Sequence, residues 1–133
     1  MLHLLIVDGH PGVREALARR LRQAYTVTAV DGLAAAGEVL RRLSPAAVIV
    51  DPRTIAARPD DVLALLGLAG RPVIVLTSSL LEGDEGRLHR AGAAAILLKG
   101  RPFAELLARI EGAIGEAPPA PRGLRGTGLS PAC

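Results

Sequence analysis

Five short apolar runs punctuate the chain, at residues 2–7, 26–30, 46–50, 73–76 and 94–98. Several are apolar throughout rather than alternating, the pattern of strands covered on both faces of a parallel sheet. Between them, apolar positions recur at helical spacing. Val13, Leu17, Leu21 and Ala24 form one such stripe, with Arg14, Arg19 and Arg22 turned away from it. Residues 33–43 and 60–68 predict a second and a third helix, and 83–91 a more polar, less firmly anchored fourth. A fifth begins at Pro102, a favoured first helical residue, and buries Phe103, Leu106, Leu107 and Ile110. Strand–helix units in this order predict an α/β fold, a doubly wound five-stranded parallel sheet with right-handed crossovers, over residues 1–116. At about Ala117 the pattern stops. The remaining stretch, 117–133, "APPAPRGLRGTGLSPAC", reads as a Pro/Gly-rich flexible tail or linker.

Composition narrows the core and the partners. Half of the 133 residues are apolar but only 2% are aromatic, so the core has to be built from Leu, Val, Ile and Ala. No apolar run approaches the roughly 18 residues of a membrane span. The one cysteine is Cys133, which leaves no intrachain disulfide, and a reducing, cytoplasmic setting is the expectation. The formal charge is +3, but Arg122 and Arg125 of the tail supply two of those positives, and the segment 1–116 is nearly balanced. A nucleic-acid footprint needs a basic stripe on one face, so no direct nucleic-acid binding is expected of this chain. Fifteen of the sixteen bases are arginine, and the exception is Lys99. Arginine is a planar fork and lysine a compact point charge, so this one position marks a site suited to an ammonium.

Candidate chemistry gathers where strands end. In open α/β sheets, ligands bind beyond the carboxyl ends of the strands, where the strand order reverses. Strand one runs into Asp8, strand three into Asp51, strand four into Thr77 and strand five into Lys99. The order 2-1-3-4-5 makes strands one and three neighbours and brings all four residues to one pocket. Singly, each has a plain structural reading: Asp51 before Pro52 is turn chemistry, and Thr77 and Lys99 are ordinary strand-end residues. Asp31, before Gly32 on the edge strand, reads as a helix cap, and His10 as a helix-entry residue. Together the four suit a phosphoryl group. Asp51 is a carboxylate nucleophile able to form an acyl phosphate. Lys99 and the Thr77 hydroxyl would bind the phosphoryl oxygens, and a Mg²⁺ held by one or two carboxylates would neutralise charge.

The stretches "LLIVDGHPGVREAL", "AAVIVD", "VIVLTSS" and "AGAAAILLKGRPFAELLARI" resemble the response-regulator receiver family of two-component signalling, in order and spacing over residues 1–116. The first resembles its NarL/LuxR-type branch. The resemblance implies the flavodoxin-like, CheY-like fold and a regulatory rather than an enzymatic role. It implies phosphorylation of Asp51 by a histidine kinase, with Thr77 and Lys99 binding the phosphoryl group. It implies Mg²⁺ at Asp8, Asp51 and the backbone carbonyl of Arg53, and switch residues at Thr77 and position 96. Homodimerisation would use the fourth helix, fifth strand and fifth helix, with Arg87 and Arg90 on or near that face. In the full-length protein of this branch a DNA-binding output domain for transcription regulation would follow.

Three positions depart from the family pattern. Gly9 stands where the second of two adjacent acids, a direct metal ligand, belongs. The aromatic switch residue three before the lysine is Ile96, and Gly100 follows the lysine in place of a proline. At about 4 Å near a surface, two unit charges interact by about 4 kcal/mol before desolvation is subtracted. The missing acid should therefore weaken Mg²⁺ at least about tenfold, and Gly9→Asp is expected to restore it. An alternative follows: an atypical receiver with a degenerate metal site, acting without phosphorylation through dimerisation or small-molecule binding. "DGHPG" also resembles the Asp-x-His of cobalamin-binding domains, but the later glycine pairs of that family are missing.

Overall fold

The computed structural model describes residues 1–55, 58–67 and 70–116. Five strands and five helices alternate: β1 (His3–Val7), α1 (Pro11–Leu21), β2 (Thr26–Val30), α2 (Leu33–Arg42), β3 (Ala47–Val50), α3 (Pro59–Gly67), β4 (Val73–Thr77), α4 (Asp84–Arg90), β5 (Ala93–Leu98) and α5 (Phe103–Glu116). All strand pairs are parallel, in the order β2-β1-β3-β4-β5, as the sequence predicts. The expected tail 117–133 lies outside the described residues, as does Leu68 at the end of the expected third helix.

The continuous apolar runs serve two faces at once. On one face Leu4, Ile6, Ile49, Ile74, Leu76 and Leu97 meet Ala18 and Leu21 of α1 and Leu106 and Ile110 of α5. On the other, Leu5, Val7, Val48, Val50, Val75 and Ile96 meet α2, α3 and α4 through Val39, Val62, Leu66 and Leu88. Successive side chains of a strand point to opposite faces, so a run of buried residues needs helices on both. The two layers fix β1 and β3 side by side, and that places Asp8 and Asp51 at one edge.

Local chemistry shifts several boundaries. His10 caps α1, its Nδ1 accepting the Val13 N–H at 3.2 Å, with Pro11 at the first helical position. Ala24 lies beyond α1 and is exposed; the chain turns there into β2, and Tyr25 takes the buried place. Arg14 is half-buried rather than turned fully outward, its guanidinium donating to the Asp8 carbonyl at 2.8 Å. Asp31 is not a cap: α2 starts from Gly32, whose backbone is extended, with no side-chain capping bond. Gly100 turns the chain from β5 towards α5 with φ +90°, a conformation that proline, held near −65°, cannot adopt.

The fourth helix is anchored by an acid that the periodicity does not single out. Asp84, only 5% exposed, accepts the Leu81 N–H at 2.7 Å and pairs with Arg87 and, at 3.4 Å, with Arg53. The Leu81 amide first, then the two guanidiniums, outweigh desolvation and hold its carboxyl below the ordinary aspartate range. A depressed carboxyl stabilises the fold above its unfolded value, and that stability is lost as pH falls through the folded value. Asp84→Asn should therefore be less stable at pH 7, with the deficit shrinking as pH drops below about 4. Urea unfolding between neutral and acid pH, at low salt, measures this; wild-type and variant curves that stay parallel would contradict it.

Candidate functional site

Four strand ends meet at the carboxyl edge of the sheet, two of them bearing acids. Asp8 follows β1 and Asp51 follows β3, each 2% exposed. Their backbones continue the ladder: the Asp8 N–H donates to the Val30 carbonyl at 3.1 Å, and the Asp51 N–H to the Val7 carbonyl at 3.0 Å. Lys99 follows β5, and its N–H donates to the Thr77 carbonyl at 2.7 Å. Its side chain reaches across the edge, with Nζ 2.6 Å from Asp51 Oδ2 and 2.8 Å from Asp8 Oδ2. The predicted lysine and both predicted acids thus form one charge cluster.

The remaining carboxylate oxygens are also engaged. Asp8 Oδ1 accepts the His10 N–H at 2.8 Å and the Thr54 hydroxyl at 3.0 Å. Asp51 Oδ1 accepts the Arg53 N–H at 3.0 Å, an Asx-type turn that bears out the turn chemistry of Asp51-Pro52. Burial alone would lower the Lys99 pKa, but the hydrogen bonds and charges of Asp51 and Asp8 outweigh it and raise the group above the ordinary lysine value. The ammonium stays charged between its two partners.

Thr77 ends β4 with a side chain that is 2% exposed, and its Oγ1 is the only buried side-chain polar atom among the described residues that has no hydrogen-bond partner. Pro52, Arg53, Thr77, Asp84 and Arg87 line a cavity of about 30 Å³ there. A buried hydroxyl without a partner is costly and marks a place for an external acceptor or donor. Ile96 is 3% exposed and belongs to the core against α2–α4, with its carbonyl accepting from Arg109 at 3.0 Å.

Thr54, four residues beyond β3, was not singled out by the sequence. Its hydroxyl accepts the Gly9 N–H at 2.8 Å and lies 3.1 Å from the Asp51 carbonyl as well as 3.0 Å from Asp8. Only the sheet register brings position 54 to position 9, and no spacing in the chain signals it. The expectation that Gly9→Asp simply restores a ligand meets an obstacle at this contact. A Cβ on Gly9 would stand 1.9 Å from the Thr54 carbonyl oxygen and 2.8 Å from its carbon. The obstacle is backbone in the way, since Gly9 is not among the glycines with positive φ.

The oxygens of Asp8 and Asp51 could hold a divalent cation, in the manner of sites that use one or two carboxylates with phosphate oxygens. Such an ion would compete with the Lys99 ammonium, and among the described residues no third His, Cys, Asp or Glu joins the pair. The donor set fits a hard cation held loosely.

No protein-family model and no curated protein matches the chain. Solved structures do. The chain is similar to a response regulator receiver modulated diguanylate cyclase from Pelobacter carbinolicus, at 28% identity and TM-score 0.72, over 86% of this chain and 93% of that one. It is similar to the BeF3-activated N-terminal receiver domain of RstA from Klebsiella pneumoniae, at 25% identity and TM-score 0.76, over 84% and 97%. A response regulator protein from Burkholderia pseudomallei, solved with a phosphorylated aspartic acid, calcium ion and citrate, shares the fold at 20% identity and TM-score 0.77, over 87% and 70%. The strand order, the strand-end residues and these likenesses agree: the chain has the CheY-like fold and is similar to response-regulator receiver domains.

Proposed function

We propose that this receiver domain accepts a phosphoryl group on Asp51 from a histidine kinase, in the cytoplasm, and passes the change to an output or dimerisation surface. The observation that carries the reading is the orphaned Thr77 hydroxyl beside the Asp51–Lys99 pair. In the transfer, an Asp51 carboxylate oxygen forms the new P–O bond while the P–N bond of the phosphohistidine breaks, its electron pair returning to the imidazole. The Lys99 ammonium and the Thr77 hydroxyl would bind the phosphoryl oxygens, and Lys99 needs only to move from carboxylate to phosphoryl oxygen. Mg²⁺, held weakly by Asp8, Asp51 and the Arg53 carbonyl, would supply further charge neutralisation. Among the described residues no helix is long and apolar enough to cross a membrane. The role is regulatory, with no reaction on a separate substrate.

A chain of contacts supports a route to the surface. Arg53, whose N–H is bonded to Asp51, also pairs with Asp84, which pairs with Arg87 on α4. A group added to Asp51 would disturb the Arg53 turn and so bear on α4. Thr77 and Ile96 would switch together, with Ile96 shifting within its core rather than swinging a ring. Association through α4, β5 and α5 is supported by the edge position of β5, the 38% exposure of Leu98 and the exposed Arg87 and Arg90. A second reading, an atypical receiver that works without phosphate, is favoured by Gly9 and by the Thr54 contact that fills its surroundings.

Incubation with acetyl phosphate and Mg²⁺, followed by intact mass, tests the first reading. The expected result is the gain of one phosphoryl group, slowly, and its loss in Asp51→Asn. A gain that persists in the variant would show the wrong acceptor, and no gain in wild type would favour the second reading. Sedimentation tests the surface: Leu98→Glu should weaken self-association, whereas Arg19→Glu on α1 should not. The reverse pattern would move the interface to α1.

A further inference from the structure

The acid pocket of this chain lacks an acid at position 9, and the loop after β3 takes the room beside it. Three separate contacts converge on Thr54: its hydroxyl takes the Gly9 N–H, reaches Asp8 Oδ1, and lies within hydrogen-bonding distance of the Asp51 carbonyl. The hydroxyl has one proton, so it accepts from Gly9 and donates to Asp8 or to Asp51. It spans the ends of β1 and β3. The Thr54 carbonyl, meanwhile, occupies the space that any side chain at position 9 would need. We infer that Thr54 is a positioning residue that sets which cation the pocket accepts: it ties the loop after β3 over Gly9, excludes a second acid there, and leaves the Lys99 ammonium as the counter-cation of Asp8 and Asp51.

The physical consequence is a coupling between positions 9 and 54. Contacts below 3.0 Å to backbone cannot be relieved by a rotamer change, so a Cβ at position 9 must push the loop away. While the hydroxyl holds the loop to both strand ends, that movement breaks its hydrogen bonds. Without the hydroxyl the loop is free to withdraw, and an aspartate at position 9 then gains room to face Asp8 and Asp51. Gly9 and Thr54 act as one unit, so reversal of the site requires both changes.

A double-mutant cycle tests this, and it rests on the same pocket as the phosphoryl reading but not on the transfer itself. Gly9→Ala, Thr54→Ala and the double variant are compared by urea unfolding without metal. Gly9→Ala should lower the folding equilibrium constant at least about tenfold more in the wild-type background than in the Thr54→Ala background. Additive losses would overturn the inference. Thr54→Ser keeps the hydroxyl and should behave as wild type; a Thr54→Ser protein that behaves like Thr54→Ala would also overturn it. Mg²⁺ alone is then titrated against thermal stability. Gly9→Asp should bind it no more tightly than wild type, and Gly9→Asp with Thr54→Ala at least about tenfold more tightly. Tighter binding by Gly9→Asp alone would contradict the role given to Thr54. If the cycle couples while acetyl phosphate leaves Asp51 unmodified, the Thr54 contact stands and the phosphoryl reading falls.

Discussion

The Lys99 ammonium lies between two carboxylates that are almost sealed from water, 2.6 Å from Asp51 and 2.8 Å from Asp8. Two like charges brought together at the end of a buried sheet repel each other and lose hydration. The ammonium removes that conflict. It comes from β5, two strands away from β3, so the interaction also ties the far half of the sheet to its centre. Removing one member of such a buried set leaves an uncompensated charge, a loss of about 3–5 kcal/mol.

The parallel topology is what makes this arrangement simple to assemble. Every strand delivers its last residue to the same edge, and the two aliphatic layers hold the strands in register beneath it. With so few aromatic residues, that register depends on interdigitated Leu, Val and Ile. The loops above the edge then do the selecting. Thr54 bears on Gly9, and Arg53 connects the Asp51 turn to Asp84 and so to α4. The same short loop therefore touches both the charge cluster and the helix that would report on it.

The fold and four site residues were legible because they obey simple rules. Continuous apolar runs required cover on both faces, and the strand ends of a parallel sheet gather at one place, so Asp8, Asp51, Thr77 and Lys99 could be named from their positions. Thr54 and Asp84 could not. Thr54 acts through Gly9, a partner distant in sequence that neither periodicity nor turn chemistry encodes; Asp84 bonds locally to the Leu81 N–H and Arg87, and only its pairing with Arg53 is distant. Gly9 was legible as a missing acid but not as a filled space. The identity of a residue shows what it lacks, and only the neighbouring backbone shows what has taken its room. Asp31 erred in the opposite sense, as a plausible cap that α2 does not use because Gly32 begins the helix without one.

Because Lys99 is the sole lysine, its side chain can be watched without interference. Labelling the protein with ¹³C,¹⁵N-lysine and following the side-chain resonance through alkaline pH measures its ionisation directly. The account predicts a midpoint above the ordinary lysine value of about 10.4, moving downward in Asp51→Asn. A midpoint at or below that value in the wild-type protein, unchanged by the substitution, would contradict the claim that Lys99 is the counter-cation of this site.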